Sequence, residues 1–301
     1  MRFPKPSIPI MSWRTFGTWT LTKGASDFRK AVFETGIFTD LTFFRNTGGW
    51  VFDEAEHRYT IALIALQKQE PKLETELPMR GPYRNMERYV TGIQREPLHF
   101  KLKDVLSWTD TAALPLLPDE EAAEAFSQMR QSPNLHKEDT DDWQALPYAE
   151  LHATNDKKYM ELVETPESGW LPVFKGATFE IWEPDNGVYY AWAKPGIMLS
   201  HLQAKRERAN RNSRSAFSKF DEVWAKDEST LPCFYPRIAF RDVSRATDTR
   251  TTRAALLPPG VVAQNTAPVL VWPRGDQKDE AYLLGVLCSI PLDWYSRCFV
   301  E

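Results

Sequence analysis

Tyr235-Pro-Arg-Ile-Ala-Phe-Arg-Asp-Val-Ser-Arg-Ala-Thr-Asp-Thr-Arg-Thr-Thr-Arg-Ala-Ala-Leu-Leu-Pro-Pro-Gly260 is the stretch on which the reading of this 301-residue chain turns. Ile238 and Phe240 alternate with Arg237 and Arg241, the two-residue period of a strand. The strand feeds a segment in which Arg245, Arg250 and Arg253 are interleaved with Thr247, Thr249, Thr251 and Thr252. Guanidinium forks and short hydroxyls are phosphate-binding and base-reading groups. The same composition also describes a salt-bridged surface turn beside a threonine-rich strand. Arg237 and Arg241 share a strand face with Asp242 nearby, so the sequence leaves open that one of them is paired to a carboxylate and holds the loop.

The charge around this stretch favours an anionic partner more than the whole chain does. The net charge is -4, but Lys194 to Arg253 carries 13 bases against 7 acids, while Asp110 to Asp185 carries 17 acids against 5 bases. Within the basic half, Met198 to Arg214 is expected to carry a helix with Lys205, Arg208 and Arg211 on neighbouring turns, a positive stripe able to position a phosphate backbone. The alternative there is an ordinary solvated amphipathic helix. Lys175, in Gly169-Trp-Leu-Pro-Val-Phe-Lys-Gly176, is a further candidate phosphate contact.

Toward the N-terminus, Asp27 to Glu34 reads as a short amphipathic helix with Phe28, Ala31 and Val32 on one stripe, Ser26 able to cap it and Gly36 ending it. Phe38 to Phe44 reads as a strand, Arg45-Asn-Thr-Gly-Gly49 as a turn, and Tyr59 to Leu66 as a strand apolar on both faces, which needs neighbours on each side. Prolines break residues 71 to about 118 into short pieces. His99 to Ser107 begins as a strand, and Asp119 to Arg130 is a helix with acids in its first turn and a base in its last.

The segment from Arg237 resembles the pattern R-x-x-F-R-D-x-x-R-x-T-x-x-R-T-x-x-A-x-x-x-P of the target-recognition region of adenine-N6 DNA methyltransferases from fused restriction-modification and phage-defence systems. Leu21 to Lys68 resembles the end of the catalytic sheet in gamma-class members of that family, of the type IIG kind. Residues 169–182 are similar to the opening of the recognition domain, and Ala281 to Tyr295 to its "YLLGxLNSxxxDWYxR" helix, with Cys288 where the family often has asparagine. The resemblance implies an α/β plus α+β chain: terminal strands of a Rossmann-like methyltransferase sheet over 1–70, a partly helical connector over 71–165, and a target-recognition domain over 166–301 that stops earlier than the family's.

It also implies double-stranded DNA as partner, with Arg241, Arg245, Arg250 and Arg253 as leading contacts, Thr249, Thr251 and Thr252 as secondary ones, and Arg237 beside them. The family's S-adenosylmethionine site and catalytic motif have no counterpart here. No F-x-G-x-G turn occurs before residue 20 and no N-P-P-[YF] or D-P-P-Y occurs anywhere, so there is no cradle for a flipped adenine. No catalytic or cofactor residue is therefore assigned, and the catalytic half is expected to be fused or on a separate chain. Another reading is a protein-interaction subunit docking on a methyltransferase or translocase, its apolar 38–66 hairpin serving as the interface.

Other chemistries lack their patterns. Asp276-Gln-Lys278 and Asp221 to Lys226 lack the strand context of a Mg²⁺-dependent nuclease. No G-x-S-x-G occurs, and the five histidines lie singly, His57 within an acidic cluster. The acidic run Lys137 to Asp142 lacks a glycine-turn loop or terminal glutamate to make it a cation site. Cys233, Cys288 and Cys298 form no CxxC pair and are expected to be buried small hydrophobes, with no metal site. With no membrane-length apolar run and no signal-type N-terminus, the chain is expected in the cytoplasm.

Overall fold

The computed structural model describes residues 10–16, 23–57, 59–132, 145–245, 248–272 and 276–300. Helices and strands are mixed throughout, and the strands fall into several small sheets. The chain divides into two compact units, Met1–Ser132 with Arg297–Glu301, and Pro133–Ser296. The acidic run from Lys137 to Asp142 and Thr247 lie outside the described residues. No helix among the described residues is long and apolar enough to cross a membrane.

The first unit contains β1 (Ile10–Phe16), α1 (Ser26–Thr35), β2 (Ile37–Arg45), β3 (Thr60–Gln67), β4 (Glu76–Tyr83), α2 (Met86–Gly92), β5 (Leu98–Lys101), α3 (Leu102–Trp108) and α4 (Glu120–Met129). The expected helix, strand, strand order over residues 26–66 is present. The strand order of this sheet is β1-β3-β2-β4-β5, with the β2–β3 pair inside it. Leu41, Phe43, Ile61, Ala62 and Ile64 are all buried, so strands with apolar side chains on both faces take neighbours on each side. β3 runs antiparallel to both β1 and β2, while β2 and β4 are parallel.

Residues 76–101, expected in a connector, thus supply two strands of this sheet. Where β2 and β4 close up, Gly81 has φ of 84°, and any side chain there would collide with the Phe43 carbonyl. α1 also packs differently from its reading: it buries Arg29 and Phe33, while Phe28 is exposed and Ser26 makes no capping bond. Arg29 turns inward because the Thr111 carbonyl accepts from its Nε at 3.0 Å and its Nη2 at 2.8 Å. At the far end of the chain, Leu116 N–H donates to Cys298 O at 2.7 Å and Phe126 meets Phe299 at 5.9 Å between ring centroids.

The second unit contains β6 (Leu146–Tyr148), β7 (Leu171–Phe174), β8 (Ala191–Ala193), α5 (Pro195–Asn210), α6 (Glu222–Lys226), β9 (Arg237–Phe240), β10 (Ala254–Leu257), β11 (Val262–Ala263), β12 (Val269–Val271), α7 (Gln277–Leu287) and α8 (Ile290–Arg297). The sheet β10-β9-β12-β6 is antiparallel, and a second sheet, β11-β7-β8, pairs β11 parallel to β7. Phe174, Phe179 and Phe217 are fully buried against Ala239, Ala255 and Val269 on one face of the first sheet. Each such ring contributes roughly 1.5–3 kcal/mol by leaving water. Leu283 of α7 covers the other face with Ile238 and Leu270.

Candidate nucleic-acid interface

β9 and β10 form an antiparallel hairpin with Leu257 opposite Arg237 and Ala254 opposite Phe240. The alternation of Ile238 and Phe240 against the arginines produced the strand that was expected. The arginine-and-threonine segment is the hairpin's loop, 13 residues from Arg241 to Arg253. Arg241 N–H donates to Arg253 O at 2.9 Å and closes it.

Most of the loop's guanidinium groups face inward. The Glu180 Oε1 oxygen lies 2.8 Å from Arg241 Nη2 and 3.1 Å from Arg253 Nη1. Arg241 also donates through Nε to Gly176 O at 2.7 Å. Gly176 is glycine because a Cβ there would press on Thr266 O and the Arg241 side chain. On the other limb, Asp293 Oδ1 accepts from Thr251 N–H at 2.6 Å and Thr252 N–H at 2.8 Å, and lies 3.4 Å from Arg250 Nε. Arg250 Nη2 donates to Cys288 O at 2.7 Å, and Thr252 Oγ1 lies 3.0 Å from Ser296 Oγ. Ser244 Oγ donates to Thr251 O at 2.6 Å across the loop.

Arg237 is the deepest of the set. It is 4% exposed, its Nη2 lies 2.8 Å from Glu150 Oε2, and it donates to Val261 O at 2.9 Å. Glu150 Oε2 also accepts from Ala263 N–H at 2.7 Å, so one buried pair ties β9 to the other sheet. The expected structural role for Arg237 or Arg241 therefore falls on both, and the partners are Glu150 and Glu180, not Asp242.

Arg245 and Thr249 point the other way. Both are exposed, and the turn beneath them is set by Arg245 N–H donating to Asp248 Oδ2 at 3.0 Å and Asp248 N–H donating to Arg245 O at 3.0 Å. No described residue pairs with the Arg245 guanidinium. Lys175 is half-buried in the turn after β7, its N–H donating to Thr178 Oγ1 at 3.1 Å.

The expected stripe on α5 is interrupted. The helix buries Met198, Leu202 and Arg206, and Lys205 stands beside that face. Lys205 Nζ donates to Glu150 O at 2.8 Å and Ala149 O at 3.2 Å and lies 3.4 Å from Asp156, so it is committed inside the unit. Arg208 and Arg211 remain exposed, Arg211 at the helix C-cap.

The structure also assembles what the sequence showed only as scattered residues. His201 Nε2 lies 3.0 Å from Asp156 Oδ1 and stacks on Tyr159 at 3.9 Å. Asp156 further accepts from His152 N–H at 2.8 Å. Burial holds the His201 pKa below its ordinary value despite the carboxylate, and with Asp156 serving Lys205 and backbone as well, the group braces the chain before α5. Asp276 and Asp221 cap α7 and α6, a structural role that accounts for both acids. All three cysteines are buried, which pushes the Cys233 thiol up to about 12 and Cys298 to about 11. Among the described residues no group of three or more His, Cys, Asp or Glu side chains converges to hold a metal ion.

No protein-family model matches the chain, and no curated protein matches it. Among solved structures it is similar to the type IIG restriction endonuclease BpuSI, with 13% identity and a TM-score of 0.32, over 94% of this chain and 36% of that one. The chain thus spans about a third of the length of that protein.

Proposed function

We propose that this chain selects the DNA site for an adenine-N6 methyltransferase of a restriction-modification or phage-defence system, the cofactor and catalytic groups lying on a methyltransferase part other than these residues. The observation that carries the reading is Arg245, exposed and free of ion pairs among the described residues, at the tip of a loop whose two limbs are pinned by Glu180 and Asp293. A pinned loop offers its free guanidinium without paying the ordering entropy that a mobile loop loses on binding. The sequence resemblance, which runs in the family's order along the chain, supplies the context.

Arg245 is assigned to base or groove contact with Thr249 beside it. Arg208, Arg211 and Lys175 are assigned to phosphates. Arg237, Arg241, Arg250, Arg253, Thr251, Thr252 and Lys205 hold the scaffold. Fluorescence anisotropy with a panel of duplexes tests this: Arg245→Ala weakens the preferred duplex by about 1–3 kcal/mol and leaves the others nearly unchanged. Arg208→Ala and Arg211→Ala weaken all duplexes alike and flatten the dependence on salt by about one phosphate each. Equal affinity for every duplex in wild type and Arg245→Ala removes the proposal. Titration of the chain with S-adenosylmethionine is expected to give no heat.

One observation favours protein docking as a second reading. Met86, Val90 and Ile93 of the α2 region are exposed on one stripe, beside exposed Arg84 and Arg88. The 38–66 hairpin does not serve that reading, since it forms the middle of the first unit's sheet. Met86→Glu with Val90→Glu abolishing co-purification with a methyltransferase chain, at unchanged melting temperature, would establish docking through this stripe.

A further inference from the structure

The β9–β10 hairpin has a second exposed end. Opposite the Arg245 loop, where β9 begins and β10 finishes, the second unit opens into a cleft of about 880 Å³ walled by Trp182, Phe220, Trp224 and Trp272, with Glu280 and Asp276 of the α7 region at its side. The one guanidinium among the described lining residues, Arg237, is already paired with Glu150. Glu280 has no ammonium or guanidinium within ion-pair distance among the described residues. One of its oxygens accepts from Ile238 N–H at 3.2 Å.

Trp182 stands out within this wall. It is 71% exposed, and its φ is 65°, in a turn closed by Glu180 N–H to Glu183 O and Glu183 N–H to Glu180 O at 2.9 and 3.0 Å. A bulky residue in the left-handed region is strained, and here no burial of the indole offsets the strain. Phe220 stacks on Trp224 at 4.4 Å, and Arg206 lies 5.0 Å from the Trp224 ring centre, so the fold already uses one guanidinium–indole contact at the back of the wall. Aromatic rings attract cations through their quadrupole, and an unpaired carboxylate beside them adds to the attraction. Phosphate groups are disfavoured by the two acids, which meet no free cation among the described lining residues.

We propose that this cleft binds an arginine or lysine side chain presented on an extended segment of a partner protein, with Trp182 and Trp272 against its aliphatic stem and Glu280 taking its charge. Burial raises the Glu280 pKa as its first cause, while the Ile238 bond and Arg237 lower it; a ligand cation would stabilise the charge that burial strips of water.

The full chain labelled with 5-fluorotryptophan, its signals assigned through Trp182→Phe and Trp272→Phe, provides the test. Titration with the peptide acetyl-Gly-Arg-Gly-Arg-Gly-amide is expected to shift both signals saturably, and the Glu counterpart to shift neither. Glu280→Gln, which keeps an acceptor for Ile238, should weaken the peptide by about fivefold or more. Trp182→Gly, which relieves the turn, should weaken it while the melting temperature stays level or rises. Arg245→Ala should bind the peptide as wild type does, so failure of the DNA reading and failure of this one are separable. Absence of saturation, equal shifts with the Glu peptide, wild-type binding by Glu280→Gln, or preference for adenosine over the basic peptide would each overturn the assignment, the last in favour of base stacking.

Discussion

The two units each contain a hairpin with a long loop, and the loops are held by opposite means. Between β2 and β3, 14 residues from Asn46 to Tyr59 are organised by one neutral side chain. Asn46 is fully buried; its Nδ2 donates to Phe52 O at 2.8 Å and Ala55 O at 3.2 Å, and its Oδ1 accepts from Val51 and Phe52 N–H, both at 3.1 Å. Between β9 and β10 the loop is held by carboxylates from distant parts of the chain. The first loop is tied through its own backbone to an anchor that carries no charge. The second is built from arginines in excess of their anchors, and the surplus is Arg245. Both loops carry charge outward, the first through exposed Asp53, Glu54 and Glu56 around an uncharged anchor, the second through Arg245 between ion-paired limbs.

The largest break in this comparison is expected at Asn46. Asn46→Ala leaves several buried backbone groups unpaired and costs about 3 kcal/mol in urea unfolding. Asp293→Ala follows at about 2 kcal/mol, since Thr251 and Thr252 N–H lose a charged acceptor, and it should also lower DNA affinity by loosening the loop. Glu180→Ala costs about 1 kcal/mol or less, because its carboxylate is 43% exposed and water screens the pair.

Glu280→Gln should raise stability slightly. Burial places its folded pKa above the unfolded value, so the ionised form costs stability at neutral pH and the cost disappears as pH falls through the folded value toward the ordinary 4.5. The melting-temperature gap between Glu280→Gln and wild type is therefore expected at pH 7 and absent once pH falls below the ordinary 4.5. Arg245→Ala should move stability least, within about 0.5 kcal/mol, while moving DNA binding most. A large stability loss there would mean that Arg245 belongs to the scaffold after all.

Local pattern revealed the elements and left their pairing hidden. The strand at 237–240, the capped helix at 120–129 and the 37–67 hairpin announce themselves through period, caps and apolar runs. The partners of the arginines do not, since Arg241 meets Glu180 across 61 positions, Thr251 meets Asp293 across 42 and Arg237 meets Glu150 across 87. A guanidinium in a strand reads the same from sequence whether it faces water or a carboxylate. For the same reason the stripe of α1 points to Phe28 as buried, whereas a carbonyl from Thr111 draws Arg29 inside. Arg245, Arg208 and Arg211, which meet no distant partner among the described residues, keep the exposed setting that their local sequence suggests. The aromatic cleft is not legible in the sequence because its four rings come from three separate segments, at Trp182, at Phe220 and Trp224, and at Trp272.

The packing of Cys298 and Phe299 against Leu116 and Phe126 gives the first unit a late birth. On the ribosome the second unit, ending at Ser296, has its whole chain available before residues 297–300 reach the first unit. Replacing Phe299 with alanine should therefore spare the loop that carries Arg245 and loosen the half of the protein made first.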